Sequence, residues 1–284
     1  MTSVSTTTDP GGRDAVRLRH GDDEVLIALL GAQVLTWQHR GRDVLWTATA
    51  ATYEPGKPVR GGVPIVFPWF GDHRTDPSLP AHGFVRTQPW TIAESGPEAR
   101  VELTTSDTSA SRALWPHRFE LRFEVRLGTS LRLALTIVNR DPLPLRCEEA
   151  LHSYFAVGDV RQASVHGLEH VPFVEHAREP EGAWDPGAPL CFRAETDRVF
   201  QQMPARVRLH APALGRELTL MAPAARSAIV WNPWPAKTAR LSQMAADDWI
   251  GFVCIETANV HDGALHLMPG ESHTMALELT VSGD

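Results

Sequence analysis

The chain is 284 residues long, 43% hydrophobic and 21% charged, with a formal net charge of −7. That composition suits a globular protein in water, and the acidic balance excludes a broad cationic face for nucleic acid or an anionic membrane. An anionic ligand must therefore be held by a local cluster of basic side chains. Cys147, Cys191 and Cys254 are widely spaced and odd in number, which offers no disulfide framework and fits a reducing compartment. No apolar run approaches the about 20 residues of a membrane-crossing helix. The expectation is a cytoplasmic protein, read as a monomer.

Residues 1–14, MTSVSTTTDPGGRD, hold no apolar signal core and read as a polar, disordered tail. Residues 15–284 then form one domain. Residues 15–19, 24–30 and 33–39 read as short strands separated by glycine-containing turns. Residues 58–86 follow, PVRGGVPIVFPWFGDHRTDPSLPAHGFVR, bracketed by Arg60 and Arg86. Residues 63–70 are almost wholly apolar and so belong inside, yet Pro64 and Pro68 forbid an ordinary central strand. A rigid, buried loop is the expectation, and such loops carry binding residues.

Residues 90–94 and 101–105 are further strands. The clearest period lies at 119–127, where Phe119, Leu121, Phe123, Val125 and Leu127 alternate with Glu120, Arg122, Glu124 and Arg126. Gly128-Thr129-Ser130 connects it to residues 131–138, which predicts a hairpin in a half-solvated antiparallel sheet. Residues 147–155, 206–210, 217–221, 228–231, 251–257 and 274–281 complete the strands. Only 237–244 reads as helix, after the turn Asn232-Pro233-Trp234-Pro235, and 171–192 reads as a long loop. Many short strands with Gly and Pro punctuation predict an all-β fold, a large antiparallel β-sandwich or a barrel.

The chain lacks GxxxxGK[ST], a strand-linked GxGxxG and GxSxG, so it has no local signature for nucleotide binding or serine hydrolysis. His166, His170 and His176 cluster without a CxxC or HExxH context, and no metal is expected. Three places remain. His152 ends a strand, where a histidine that simply hydrogen-bonds within a sheet is the plainer reading. Glu256 follows an apolar run, and a buried carboxylate must be paired, hydrogen-bonded or functional; burial also raises its pKa, which suits a general base. Arg60 and Arg86, with His73, Arg74 or His82, form either an anion site or a solvated surface loop.

Several blocks together resemble the glucose-6-phosphate 1-epimerases, the hexose-6-phosphate mutarotases of the aldose 1-epimerase superfamily. They are Arg60-Gly61-Gly62-Val63-Pro64 with Phe67-Pro68-Trp69-Phe70-Gly71, Ala81-His82-Gly83-Phe84-Val85-Arg86 and Ala150-Leu151-His152-Ser153-Tyr154-Phe155. Further along come Thr196-Asp197-Arg198-Val199-Phe200, Trp231-Asn232-Pro233-Trp234, Cys254-Ile255-Glu256-Thr257-Ala258-Asn259 and Leu267-Met268-Pro269-Gly270-Glu271. The resemblance implies a galactose mutarotase-like supersandwich that interconverts the anomers of a sugar phosphate without cofactor or metal. It also implies His152 as general acid, Glu256 as general base, Arg60 and Arg86 near the phosphate, His82 beside them, and Asp197 on the sugar.

On that reading His152 begins protonated and Glu256 ionised, and Asp197 is a candidate for raising the histidine pKa. Ala81 stands where some relatives carry Gln, and its methyl group cannot hydrogen-bond a sugar. A mutarotase for neutral aldoses, a non-catalytic sugar-phosphate binder, and a glycosidase pairing Glu256 with Asp197 are the alternatives.

Overall fold

Alternation at 119–127 does what a period of two requires. In the strand Phe119–Leu127 the five apolar side chains are buried and the four charged ones face outward. Leu131–Asn139 runs antiparallel beside it, with Leu131 opposite Leu127 next to the turn. These two strands sit within a nine-stranded sheet. Its order is Leu190–Cys191, Ser164–His166, Val207–Ala211, Arg216–Met221, Ser272–Gly283, Leu131–Asn139, Phe119–Leu127, Arg100–Ser106, Thr91–Gly96. The computed structural model describes residues 1–54, 56–96, 98–177 and 185–283.

A second sheet carries the site. Its order is Phe173–Glu175, Thr196–Phe200, Ser227–Asn232, Phe252–Asn259, Glu149–Leu151, Ile65–Val66, and Tyr154–Ala156 also pairs with Phe252–Asn259. Phe200, Ala228, Val230, Val253 and Ile255 face the apolar side of the nine-stranded sheet in one continuous core. Val199, Ile229, Trp231, Cys254 and Tyr154 point the other way, where Trp46, Phe70, Leu241 and Met244 pack over them. Both faces of the central strands are therefore covered, so Phe252–Asn259 is buried at all eight positions. That burial erases the alternation a half-solvated strand would show. The architecture is the expected antiparallel β-sandwich.

Four sequence expectations need correction. The supposed tail is a strand, Thr2–Thr8, paired with Asp14–His20 from Thr2↔His20 to Thr8↔Asp14. It edges a five-stranded sheet with Asp23–Ala28, Val34–His39 and Arg42–Asp43. Its threonines and Val4 are β-branched, which favours an extended chain even without an apolar run. The turn after it is held by the Asp9 carboxylate, which accepts from the Gly11 and Arg13 amides and from Arg13 Nε.

Secondly, the helix covers Trp234–Thr238 rather than 237–244. Gln243 has φ of 60°, outside the helical range, because its side chain is recruited elsewhere. Thirdly, the strand expected at 147–155 is three pieces, Leu145–Cys147, Glu149–Leu151 and Tyr154–Ala156. The first leaves this sheet to pair with Leu265–Leu267. Fourthly, the loop expected at 171–192 includes the strands Phe173–Glu175 and Leu190–Cys191, and its residues 178–184 lie outside the described residues. A helix that sequence reading passed over, Ser109–Leu114, begins at a capping box formed by Thr108 and Ser111.

Candidate active site

The break between the strand pieces makes the site. Leu151 pairs with Thr257 and Tyr154 with Cys254, so the same register sets His152 opposite Glu256. Directly opposed side chains in an antiparallel pair are within reach of each other, and His152 Nε2 lies 3.2 Å from Glu256 Oε1. His152 does not ladder to its partner strand. Its amide donates instead to the Pro64 carbonyl at 3.0 Å, while the Ser153 carbonyl accepts from the Ile255 amide at 3.1 Å.

Strand pairing then extends the row across the sheet. Ile229 stands beside Glu256 and Val199 beside Ile229; Trp231 stands beside Cys254 and Asp197 beside Trp231. Residues two apart share a face, so His152, Glu256, Trp231 and Asp197 open onto one cleft of about 680 Å³, with Arg60 and His82 on its rim. Glu256 is 1% exposed and Asn259, further along the same strand, is fully buried.

The Pro58–Arg86 stretch is the expected buried loop, and the structure shows how it is fixed. Val63, Ile65, Val66 and Phe67 are completely buried. Ile65–Val66 is a two-residue strand against Ala150 and Leu151, and the Gly62 carbonyl accepts from the Tyr154 amide at 2.9 Å. Two glycines allow the close approach. A Cβ on Gly62 (φ 62°) would lie 2.1 Å from the Val34 carbonyl oxygen, and one on Gly83 (φ 71°) would lie 1.9 Å from that of Phe67. The Phe67–Pro68 peptide is cis.

The loop delivers Arg60 and Arg86 to a smaller cavity of about 230 Å³, lined also by Lys57, His82, His152 and Tyr154. Both arginines are half-buried. Neither guanidinium meets a carboxylate among the described residues: Arg60 Nη1 donates to the Tyr154 hydroxyl at 3.4 Å and Arg86 Nη2 to the Ala81 carbonyl at 2.6 Å. Ala81 thus serves this corner through its backbone carbonyl. Gln243 braces this corner, accepting from the Arg60 and Thr52 amides and donating to the Pro58 carbonyl.

Electrostatics reverse one expectation. Burial pushes the Glu256 carboxyl well above the usual carboxylate range, and the Asp197 charge adds to it. Burial, His82 and the two guanidiniums hold His152 well below its ordinary value. Burial thus favours the uncharged form of each group, the opposite lean to the imidazolium and carboxylate expected. Asp197 acts on Glu256 rather than raising His152. It pairs with Lys237 Nζ at 3.0 Å, and Lys237 also meets Glu195 at 2.9 Å and lies over the Trp231 ring.

His82 is lowered to about 3 by burial and by Arg86 and Arg60. Its ring stands edge-on to His152 with centroids 5.6 Å apart, and its Nδ1 accepts from the Gly71 amide.

All six expected residues, His152, Glu256, Arg60, Arg86, His82 and Asp197, line the two adjoining cavities. His73 does not: its ring packs on Trp69 and its Nδ1 accepts from the Asp76 amide. Arg74 lines the larger cleft, paired with Glu148 at 3.1 Å. Sequence reading missed Tyr154, whose ring stacks on His152 at 4.9 Å, and Lys237. A period of two from His152 points to Tyr154; nothing in the local sequence points to Lys237. Among the described residues no group of three or more His, Cys, Asp or Glu side chains is placed to hold a metal ion.

The family model for aldose 1-epimerase matches residues 14–280. Two similar proteins, both named "Putative glucose-6-phosphate 1-epimerase", come from Salmonella typhimurium and Cenchrus ciliaris. The first is 32% identical over 264 residues, covering 90% of this chain and 87% of its own. The second is 30% identical over 276 residues, covering 92% and 83%. A crystal structure of "a putative mutarotase" from Salmonella typhimurium superposes with a TM-score of 0.89 at 28% identity, covering 99% of this chain and 94% of that one. A matched family model over most of the chain, together with relatives of that identity and coverage, shows that the chain belongs to the aldose 1-epimerase family.

Proposed function

We propose that this protein interconverts the α and β anomers of a hexose 6-phosphate, D-glucose 6-phosphate first among them. One observation carries the choice of a phosphorylated sugar over a neutral one. Arg60 and Arg86 line a pocket without a carboxylate partner among the described residues, inside a protein of net charge −7, and that pocket adjoins His152. Guanidinium forks suit a phosphate, whose charge is near −2. A neutral sugar gives no reason to gather cations there. Relatives named for glucose 6-phosphate support the same substrate.

Anomer exchange needs one acid and one base. The His152–Glu256 pair holds one transferable proton, and shifting it across the 3.2 Å gap turns imidazole and carboxylic acid into imidazolium and carboxylate. Glu256 then takes the proton from O1 as the C1–O5 bond breaks, the bonding electrons move to O5, and His152 protonates O5. Rotation about C1–C2 turns the aldehyde. On closure O5 attacks the other face and returns its proton to His152, while O1 regains one from Glu256.

Every atom and proton is restored. Each positioned proton-transfer group contributes about 10²- to 10⁴-fold. Nothing in these steps calls for a metal, a nucleotide or a second subunit, and the reading implies a diffusible cytoplasmic substrate.

The test is anomer exchange followed by NMR on glucose 6-phosphate and free glucose. Glucose 6-phosphate is expected to exchange far faster. Equal acceleration of both would mark a neutral-sugar enzyme, and acceleration of neither would leave a binding protein.

A further inference from the structure

Arg60, His82 and His152 line both cavities, so these three side chains are the wall between the cleft and the basic pocket. Charged and titratable groups face His152 from every side of that wall. Glu256 approaches its Nε2 from the neighbouring strand, and Tyr154 stacks on its ring. His82 meets it edge-on, and Arg60 and Arg86 act on it from the pocket side. Asp197 lies beyond Glu256 and bears on that carboxyl instead. Among the described residues the charges on the pocket side are cationic, from Lys57, Arg60 and Arg86, and the two guanidiniums, which meet no carboxylate, oppose an imidazolium. His152 Nδ1 is buried without a hydrogen-bond partner among the described residues.

A doubly charged anion seated between the two guanidiniums would reverse that field at a distance of one side chain. Charges lining one partly desolvated wall are screened far less than in bulk water. Cancelling even part of that field favours the protonated form of His152.

We propose that the Arg60–Arg86 pocket is an activator site as well as an anchor: a tetrahedral oxyanion bound there, tethered to the sugar or not, speeds anomer exchange at the neighbouring His152–Glu256 pair. The proposal rests on reading the cleft as a mutarotase site. It adds that the phosphate group contributes to the chemical step and not merely to residence in the cleft, which is binding energy expressed in the transition state.

The experiment supplies the substrate in two pieces. D-xylose lacks C6 and leaves the pocket open; its anomer exchange is followed by NMR with and without inorganic phosphate, subtracting the enzyme-free reaction in the same buffer. Phosphate is expected to raise kcat/KM for xylose at least tenfold and saturably. Chloride at equal ionic strength should not, and the gain should vanish in Arg86→Gln and Arg60→Gln.

A readout independent of the variants is the ¹⁵N signal of the His152 ring, which should move toward imidazolium when phosphate is added to the parent protein. Glucose 6-phosphate runs in parallel. Rapid exchange of glucose 6-phosphate with no phosphate effect on xylose, or with inhibition alone, would overturn the activator role and leave the anchor. Failure to accelerate glucose 6-phosphate at all would overturn the underlying reading and this one with it.

Discussion

Replacing Arg86 by alanine removes one of the two guanidiniums while leaving the His152–Glu256 pair in place, and the structure sets the size of the effect. Arg86 donates to the Ala81 carbonyl, so its fork is oriented before any substrate arrives. A hydrogen bond to a charged group contributes about 1.5–3 kcal/mol, and each 1.4 kcal/mol is about tenfold in affinity. Because Arg86 is half-buried, solvent screens it only in part. The KM for glucose 6-phosphate is therefore expected to rise about 10- to 100-fold, and that for free glucose less than about threefold. Anomer exchange by NMR on both sugars measures the ratio. A second reading comes from His82, held at about 3 partly by Arg86. In Arg86→Ala its imidazole titration should move upward by NMR. Equal KM changes for the two sugars, or an unmoved His82, would refute the pocket assignment.

Four further outcomes follow from the same geometry. Glu256→Gln should lower kcat about 100-fold or more, measured by exchange NMR, with KM little changed. The folded Glu256 pKa is raised, so its contribution to stability is present below the unfolded value and lost as pH rises. Glu256→Gln should accordingly gain Tm relative to the parent at pH 8–9, and the gain should shrink toward pH 4. His82 and His152 shift the opposite way, so their contribution is full above about pH 6.5 and lost as pH falls, for His82 toward about 3. Urea unfolding from pH 7 to pH 4 should show the parent losing up to about 1.4 kcal/mol per pH unit per histidine, and His82→Asn losing less. Lys237→Met strips Asp197 of its cation and exposes Glu256 to the full negative charge. The alkaline limb of the kcat profile should move upward, and an unchanged limb would separate Asp197 from the base.

How far the sequence reveals the fold depends on solvent. Where one face is wet, as in Phe119–Leu127, alternation marks the strand to the residue. Where both faces are dry the period disappears: Phe252–Asn259 presents only an apolar run with Glu256 inside it, and no pattern says which face Glu256 takes. Thr2–Thr8 shows the converse, a strand whose polarity hides it. The helix that ends at Thr238 fails as a local prediction for a tertiary reason. Gln243 leaves helical geometry to brace Pro58, Arg60 and Thr52, residues about 185 positions away in the chain.

The site divides along the same line. His152, Glu256, Arg60, Arg86, His82 and Asp197 could be named from motif blocks, because a motif fixes which side chain stands at which place. It does not fix the charge that side chain carries. The lean of the His152–Glu256 pair is set by burial first, then by Arg60 and Arg86, which enter on the glycine-braced loop, and by Asp197, which enters across the Ser227–Asn232 strand. Lys237, on a helix whose extent was misread, offsets that aspartate. Acid and base are thus roles held in suspense by neighbours. A ligand that neutralises the guanidiniums pushes the proton toward His152. Removing Lys237 holds it on Glu256 instead. The two perturbations act on one proton from opposite sides of the cleft, so combining Lys237→Met with added phosphate should bring the ¹⁵N signal of His152 back toward its unliganded position.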